Sequence, residues 1–154
     1  MMALGGHEPW MELALAEARR AEEHGDVPIG CVVERHGEVI GTGRNERERR
    51  GDPTAHAEVL ALRDAAAAVG SWRLDGATVV STLEPCPMCA GALLAARVGR
   101  VVFGAADPKA GACGTLYNLC TDPRLNHEVA VVAGLRAEAC GEVLSGFFGS
   151  RRLR

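Results

Sequence analysis

Hydrophobic and polar residues follow two different periods along this chain. In four segments the apolar residues recur at three- and four-residue steps or form long runs rich in Ala and Leu, which predicts helices. In five shorter segments apolar and β-branched residues run together between turn residues, which predicts strands. The predicted helices cover residues 8–24, 55–69, 87–96 and 135–148. The predicted strands cover residues 29–34, 38–42, 78–82, 100–105 and 128–133.

Proline and glycine mark several ends of these segments. Pro9 suits the first turn of the first helix, and Gly25 and Gly70 suit helix stops. Residues 35–37 separate the first two strands closely enough to predict a hairpin. The polar stretch 44–54 and the small-residue stretch 107–114 are predicted loops, with a short helical turn near residues 115–120.

Strands alternate with helices over the whole sequence, which predicts an α/β fold in three layers, with a mixed sheet that is antiparallel at its first hairpin. The sequence has 154 residues, of which 47% are apolar and 24% are charged. These values exclude a disordered chain and a coiled coil. No repeat, low-complexity linker or break in composition interrupts the pattern, so we expect a single domain over residues 1–154.

Targeting signals are not evident in this sequence. No apolar run reaches the ~18 residues of a membrane span, and residues 1–20 show neither the basic start nor the long apolar run of a secretory signal. We therefore expect a cytoplasmic protein without membrane contact, whose cysteines are reduced thiols or metal ligands. The six cysteines are Cys31, Cys86, Cys89, Cys113, Cys120 and Cys140.

The overall charge excludes a protein that binds nucleic acid over its whole surface, because the formal net charge is −3. Two local clusters of arginine remain, at residues 44–50 and in the segment from Arg124 to the C-terminus. Each is either a solvated surface or a local nucleic-acid contact, and charge alone does not decide between them.

The segment Pro85-Cys86-Pro87-Met88-Cys89 has the strongest chemical signal in the sequence. It lies where a predicted strand meets a predicted helix, and the positive end of a helix favours thiolate. The two cysteines could form a redox pair or part of a metal site. A thioredoxin-like redox pair follows the first strand of its unit, whereas this motif follows the third predicted strand. Two thiolates and one histidine on Zn²⁺ would leave a fourth position open, which is the pattern of catalytic zinc.

His56 is the candidate for that third ligand. It begins the second predicted helix in the segment Thr54-Ala55-His56-Ala57-Glu58. Residues two apart lie on roughly opposite sides of a regular helix. His56 and Glu58 can therefore converge only if His56 points from the end of the helix and the longer Glu58 reaches around in the first turn. Taken singly, His56 could be a capping residue and Glu58 an ordinary surface glutamate.

The His-x-Glu and Pro-Cys-x-x-Cys segments together match the signature of zinc nucleoside and nucleobase deaminases. The sequence resembles the bacterial tRNA-specific adenosine deaminases, a family of the zinc-dependent cytidine/deoxycytidylate deaminase superfamily. The likeness covers nearly the whole chain. It includes residues 27–30, 52–58, 82–92, 102–105, 126–127 and the 147–148 pair with the arginines that follow it.

The resemblance implies a cytidine-deaminase-like α/β/α sandwich around a five-stranded mixed sheet. It implies a zinc-dependent hydrolase that converts adenosine to inosine at the wobble position of a tRNA anticodon. Zn²⁺ held by His56, Cys86 and Cys89 would activate a hydroxide, and Glu58 would be the catalytic proton shuttle. A homodimer that binds the anticodon stem-loop is also implied.

Other residues acquire expected roles from the same resemblance. Asn45 is similar to a residue that hydrogen-bonds the target nucleoside, although an asparagine there also suits a turn. Phe148, followed by arginines, is the candidate for stacking on a base, whereas Phe147 continues the apolar stripe of the last helix and should pack in the core. The implied substrate-binding residues are Asn45, Asp107, Lys109, Asn126, Phe148 and Arg152.

Three other functions remain open on sequence grounds. A deaminase of a free nucleobase or nucleoside, of the guanine or cytosine type, would share the zinc residues and have no use for the basic aromatic tail. An RNA-binding or scaffold protein with structural zinc would have no need of Glu58. A thioredoxin-like protein would bind no zinc and would form a reversible Cys86–Cys89 disulfide.

Overall fold

Strands and helices alternate in a computed structural model that describes residues 4–152. A 3-10 helix, Leu4–His7, comes before the first α-helix. The α-helices are α1 (Glu8–Glu23), α2 (Arg47–Arg50), α3 (Ala57–Val69), α4 (Pro87–Ala96) and α5 (Ala137–Arg152). The strands are β1 (Gly30–Arg35), β2 (Glu38–Arg44), β3 (Thr78–Leu83), β4 (Arg100–Ala105) and β5 (Ala130–Ala133).

The strands form one five-stranded sheet in the order β2-β1-β3-β4-β5. Strand β1 pairs antiparallel with both β2 and β3, while β3–β4 and β4–β5 are parallel. The predicted mixed sheet with an antiparallel first hairpin is therefore confirmed. Parallel pairs need long crossover connections: α4 supplies the one between β3 and β4, and the non-helical segment 106–129 supplies the one between β4 and β5.

The two faces of the sheet carry separate hydrophobic cores, because successive strand residues point to opposite sides. On one face Cys31 and Val33 of β1 pack with buried residues of α3 and α4. On the other face Val32 packs with buried residues of α1 and α5. The sheet is thus covered by helices on both sides, and the three-layer sandwich is confirmed.

Gly43 of β2 allows α3 to lie directly on the sheet. A Cβ atom at this position would lie 2.6 Å from the amide nitrogen of Ala61 and closer still to the carbonyl oxygen of Ala57. No side chain larger than hydrogen fits there unless the helix moves. This contact fixes the N-terminal end of α3, which follows directly from His56.

The structure corrects several boundaries predicted from the sequence. The stretch 44–54 is not entirely loop, because it contains the short helix α2. Asp26 carboxylate oxygens accept the amides of Glu48 at 2.6 Å and Arg49 at 3.1 Å, and this long-range cap stabilises the turn. The predicted helical turn near 115–120 is absent from the described structure, where Cys113 and Asn118 instead form an isolated antiparallel bridge.

The last elements also begin later than predicted. Strand β5 begins at Ala130 rather than at residue 128, and α5 begins at Ala137 rather than at residue 135. Gly134 and Arg136 have positive φ values of 89° and 56°. Because a right-handed helix needs negative φ, the helix cannot include Arg136 and begins after it. Within residues 4–152 no helix is long and apolar enough to cross a membrane.

Candidate active site

Two helix N-termini bring the predicted metal ligands together. His56 is the N-cap residue of α3 and Cys86 is the N-cap residue of α4, and both have extended backbone. Neither side chain caps its own helix. Cys89 lies in the first turn of α4 and is buried. The side chains of the two N-cap residues are therefore free to point toward a common centre.

The donor atoms of these residues are spaced as tetrahedral zinc requires. The Nδ1 atom of His56 lies 3.6 Å from Sγ of Cys86 and 3.5 Å from Sγ of Cys89. All three donor atoms lie within 4.8 Å of one another. With ordinary zinc–sulfur and zinc–nitrogen bond lengths, a tetrahedral site places nitrogen and sulfur about 3.6 Å apart. The set of one imidazole and two thiols therefore fits Zn²⁺.

The Cys86 thiol of this centre and the nearby Glu58 carboxyl both have shifted pKa values. Hydrogen bonding from Cys89 and from His56 lowers the pKa of the Cys86 thiol to about 4, and the thiolate is the form that binds metal. Burial raises the pKa of the Glu58 carboxyl to about 7. Glu58 lies in the first turn of α3 and is only 4% exposed. The neighbouring Cys86, His56 and Cys89 also influence the pKa of Glu58, so its carboxyl lies beside the ligand group.

A cleft of about 380 Å³ opens beside His56, a size typical of sites for small ligands. Its walls come from the segment before β1, the end of β2, the loop after β4 and helix α5. Four of the six predicted substrate-binding residues line it, namely Asn45, Asp107, Lys109 and Phe148. The structure therefore brings together residues that are as much as 103 positions apart in the sequence.

Backbone hydrogen bonds hold two of these side chains in place. The Asn45 amide group donates to the carbonyl of Val27 at 3.2 Å, and its oxygen accepts the amide of Arg47 at 3.1 Å. The Asp107 carboxylate accepts the amides of Lys109 and Ala110 at 2.9 and 3.2 Å. Both residues thus shape their loops, as the turn interpretation predicted for Asn45, and both also line the cleft.

Most arginines of the 44–50 cluster pair with glutamate. Arg44 contacts Glu17 at 3.2 Å, and Arg50 contacts Glu46 at 3.0 Å. Arg47 is different: it is exposed, lines the cleft and has no carboxylate within salt-bridge distance in the described structure. The cluster therefore offers one unpaired positive charge at the cleft rather than a broad basic patch.

The two phenylalanines of α5 differ as predicted. Phe147 is 6% exposed, and the Arg151 guanidinium lies 4.3 Å from the centre of its ring. Phe148 is 45% exposed and lines the cleft. The Arg151 guanidinium also donates a hydrogen bond to the carbonyl of Gly25 at 2.6 Å, so it has a second partner besides the Phe147 ring.

Of the two remaining predicted substrate-binding residues, one lies away from the cleft and the other has a side chain outside the described structure. Asn126 is exposed in the segment before β5 and does not line it. Arg152 ends α5, and its side chain lies outside the described part of the structure. The sequence placed Arg47 only within the 44–50 arginine cluster and gave no site role to Leu144, yet both line the cleft. The helical spacing of Leu144 and Phe148 was a usable signal, because residues four apart share a helix face.

A known protein family matches the part of the chain that contains these candidate site residues. The family model of the cytidine and deoxycytidylate deaminase zinc-binding region matches residues 5–105, which include His56, Glu58, Cys86 and Cys89. The chain belongs to this deaminase family. Membership makes the protein an enzyme of a zinc-dependent hydrolase family, with Zn²⁺ as its cofactor.

Two relatives named tRNA-specific adenosine deaminases are similar to this chain over most of their own length. A tRNA-specific adenosine deaminase of Bacillus subtilis is 52% identical over 96% of this chain and 90% of its own. One of Haemophilus influenzae is 45% identical over 94% of this chain and 84% of its own.

Solved structures of the deaminase family share the fold. One comes from studies of A-to-I editing by tRNA:A34 deaminases at the wobble position of transfer RNA. It has a TM-score of 0.84 and 44% identity, and covers 87% of this chain and 97% of its own. A guanine deaminase from Nitrosomonas europaea has a TM-score of 0.75 and 25% identity, over 90% of this chain and 82% of its own. The cytidine-deaminase-like sandwich is therefore confirmed.

Proposed function

We propose that the protein converts adenosine to inosine by hydrolysis at the wobble position of a tRNA anticodon. The observation that carries this proposal is 52% identity to a tRNA-specific adenosine deaminase, maintained over nearly the whole of both chains. The open cleft beside His56 supports it, since Asn45, Asp107, Lys109 and Phe148 all line that cleft. The guanine-type alternative has weaker support, because the guanine deaminase structure is only 25% identical.

His56, Cys86 and Cys89 would hold Zn²⁺ in this enzyme. When bound, Zn²⁺ supplies a Lewis acid that lowers the pKa of a water molecule toward neutrality. Three protein ligands would leave Zn²⁺ one open position, which is the pattern of catalytic rather than structural zinc. The thiolate form of Cys86 and the unprotonated Nδ1 of His56 are the forms that bind metal.

Glu58 moves the protons of the reaction. It accepts a proton from the attacking water and delivers it to ring nitrogen 1 of adenine, and it then assists the departure of ammonia. Its position supports this role, because Glu58 is buried two residues after His56 and is not one of the three clustered donors. A structural metal site has no need of a buried carboxylate there.

The lining residues provide contacts of different chemistry for RNA. The Asn45 amide is suited to hydrogen bonding with the target nucleoside, and Asp107 with Lys109 flanks it from the loop after β4. Phe148 presents an exposed ring on which an unstacked base can lie. Asn126 and Arg152 stay in the proposal as contacts to a flanking nucleotide and to phosphate, by resemblance alone.

The proposed assembly is a homodimer of single-domain chains acting in the cytoplasm, where tRNA is used. An apolar groove between α3 and α4 supports the dimer, because an exposed apolar surface of this kind is typical of a protein–protein contact. Among the residues that line this groove are Val59, Leu62, Ala66, Ala92 and Trp72. Trp72 is 63% exposed in the single chain.

The deciding experiment measures inosine formation in an anticodon stem-loop with adenosine at the wobble position. The wild-type protein and Glu58→Gln are compared, with zinc content measured for both, and free adenosine, cytidine and guanine are offered in parallel. We expect inosine from the wild type, and a loss in kcat of at least about 100-fold in Glu58→Gln at unchanged zinc content. Exposed Glu38→Gln is the matched control and should keep full activity.

Ammonia released from a free base, without inosine in the stem-loop, would instead establish the nucleobase alternative. Full activity in Glu58→Gln would remove Glu58 from the mechanism. Deletion of the residues after Phe147 separates the substrates further. It should abolish activity on RNA, whereas a small-molecule deaminase should retain its activity.

A further inference from the structure

Glu84 is a buried carboxylate whose partners are almost all backbone amides. It is 2% exposed and directly follows β3. One carboxylate oxygen accepts the amide of Asp107 at 3.0 Å and the hydroxyl of Thr115. The other accepts the amides of Cys113 and Thr115 at 3.0 and 3.1 Å. Both oxygens are therefore occupied, and burial of the charge is compensated by hydrogen bonds rather than by a basic residue.

These partners lie at the two ends of one loop, residues 106–115. The Asp107 amide is near its start, and the Cys113 and Thr115 amides are at its end. Gly111 lies between them, against the carboxylate: a Cβ atom there would come 2.5 Å from Cδ of Glu84 and 2.6 Å from the carbonyl oxygen of Asp107. The 106–115 loop therefore wraps around the Glu84 carboxylate so closely that only glycine fits at residue 111.

The same loop forms one wall of the cleft, through Ala106, Asp107, Pro108 and Lys109. Glu84 is absent from that wall. Its amide donates to the carbonyl of Ala105 at 2.9 Å, and the Pro85 carbonyl accepts the amide of Ala112 at 2.9 Å. Backbone hydrogen bonds thus join the segment that leads into the metal-ligand motif to the segment that forms the cleft wall.

We propose that Glu84 is a positioning residue that holds the 106–115 loop, and with it Asp107 and Lys109, at the correct place beside the reacting base. The effect passes through one amide: Glu84 fixes the backbone of Asp107, whose side chain in turn accepts the amides of Lys109 and Ala110. Glu84 does not touch the cleft, so it acts on substrate only through the loop. The expected change in KM rests on the proposed function, whereas the expected change in hydrogen exchange of the loop does not.

Glu84→Gln tests this with little change in shape. The Gln side chain has one oxygen and one NH₂ group in place of two acceptors. An NH₂ group facing Cys113 and Thr115 would place a hydrogen-bond donor against two backbone amides that are themselves donors. The favoured orientation therefore places it toward Asp107, where the Thr115 hydroxyl can rotate to accept from it. The Asp107 amide then faces a donor and loses its partner.

The first readout is hydrogen exchange at backbone amides, which needs no substrate. We expect protection of the Asp107 amide to fall by about tenfold in Glu84→Gln, while amides of the β3–β4 ladder keep theirs. Unchanged exchange at Asp107 would overturn the proposal. An equal loss of protection throughout the sheet would also overturn it, because Glu84 would then act on global stability.

The second readout is the split between KM and kcat on the stem-loop. A misplaced cleft wall should raise KM about tenfold, with a smaller change in kcat and unchanged zinc content. In a chain that already carries Asp107→Ala and Lys109→Ala, adding Glu84→Gln should change KM little, since the side chains that Glu84 positions are gone. The same fold increase in both backgrounds would contradict the proposal.

Glu34→Gln is the matched control. Glu34 is also buried and also accepts a backbone amide, that of Gly37 at 3.0 Å, but it lies in the β1–β2 hairpin away from the cleft. It should alter neither KM nor exchange at Asp107. If the wild type forms no inosine, the proposed function fails, and hydrogen exchange still decides whether Glu84 holds the loop.

Discussion

The Nδ1 atom of His56 lies 3.5 Å from the Sγ atom of Cys89, although 33 residues separate them in the chain. The contact exists because α3 and α4 lie on the same face of the sheet and begin near the same point. Each helix start contributes a donor atom from a side chain that does not cap its own helix. Two local motifs thus become one metal-binding centre only when the sheet is assembled.

Removal of either ligand should release the metal. We expect His56→Ala and Cys89→Ala to lower bound zinc at least about tenfold, because a tetrahedral site with two protein ligands loses most of its affinity. The measurement is metal content of the purified protein after dialysis against a weak chelator. His36→Asn, at an exposed histidine in the hairpin turn, should keep a full complement of zinc. Retention of zinc by Cys89→Ala would disprove the assigned ligand set.

Gly43→Ala should destabilise the fold. The added methyl group would meet the backbone of α3 at Ala57 and Ala61, so we expect a loss of about 1–3 kcal/mol in the free energy of unfolding. Urea denaturation measures it. Gly141→Ala is the same substitution in α5, where nothing lies near the added atom. That control should be unchanged or more stable by about 0.5–1 kcal/mol, and equal effects at the two sites would refute the packing argument.

Phe147→Ala and Phe148→Ala should separate stability from substrate binding. Phe147 is buried beneath Arg151, so its loss should cost about 3 kcal/mol in unfolding free energy. Phe148 is exposed at the cleft, so its loss should leave the melting temperature nearly unchanged and raise KM for the stem-loop about tenfold. Thermal melts and steady-state kinetics on both variants check this. A stable Phe147→Ala with raised KM would reverse the assignments.

The apolar groove between α3 and α4 should be the dimer surface. Ala92→Arg places a charge among the apolar groups that line it, and we expect the protein to change from dimer to monomer. Light scattering coupled to gel filtration gives the mass directly. Ala68→Arg adds the same charge to an exposed position of α3 outside the groove and should leave the mass unchanged. A wild-type monomer would reject this surface as an interface.

Much of the fold followed from local patterns. Helix α4 and strand β4 have the predicted boundaries, and the antiparallel hairpin of β1 and β2 lies where the turn residues indicated. The errors lie where distant residues determine the backbone. Helix α2 depends on the Asp26 cap, 22 and 23 residues from the amides it accepts. Residues 113–115 turn inward to Glu84 instead of forming a helical turn.

The site divides in the same way. The candidate metal ligands and Glu58 were predicted from the two motifs and the family resemblance that they carry, because each half of the motif sits within a few residues of one helix start. The place of Arg47 in the cleft was not readable, because nothing local distinguishes a lining arginine from a solvated one. The place of Leu144 was indicated only by its four-residue spacing from Phe148. Their places depend on how α2 and α5 meet the ends of the strands.

The sequence by itself determined the type of the five strands and the four longer α-helices, the alternation of residues between the two faces of the sheet, and the chemistry of the candidate ligand set. These depend on periods of two and about 3.6 residues and on side-chain donor types, which are local properties. Only the tertiary structure decided which side chains share a cleft and that Glu84 joins both ends of the 106–115 loop. Those relationships arise from contacts between distant segments, whose geometry is fixed only when helices close over both faces of the sheet.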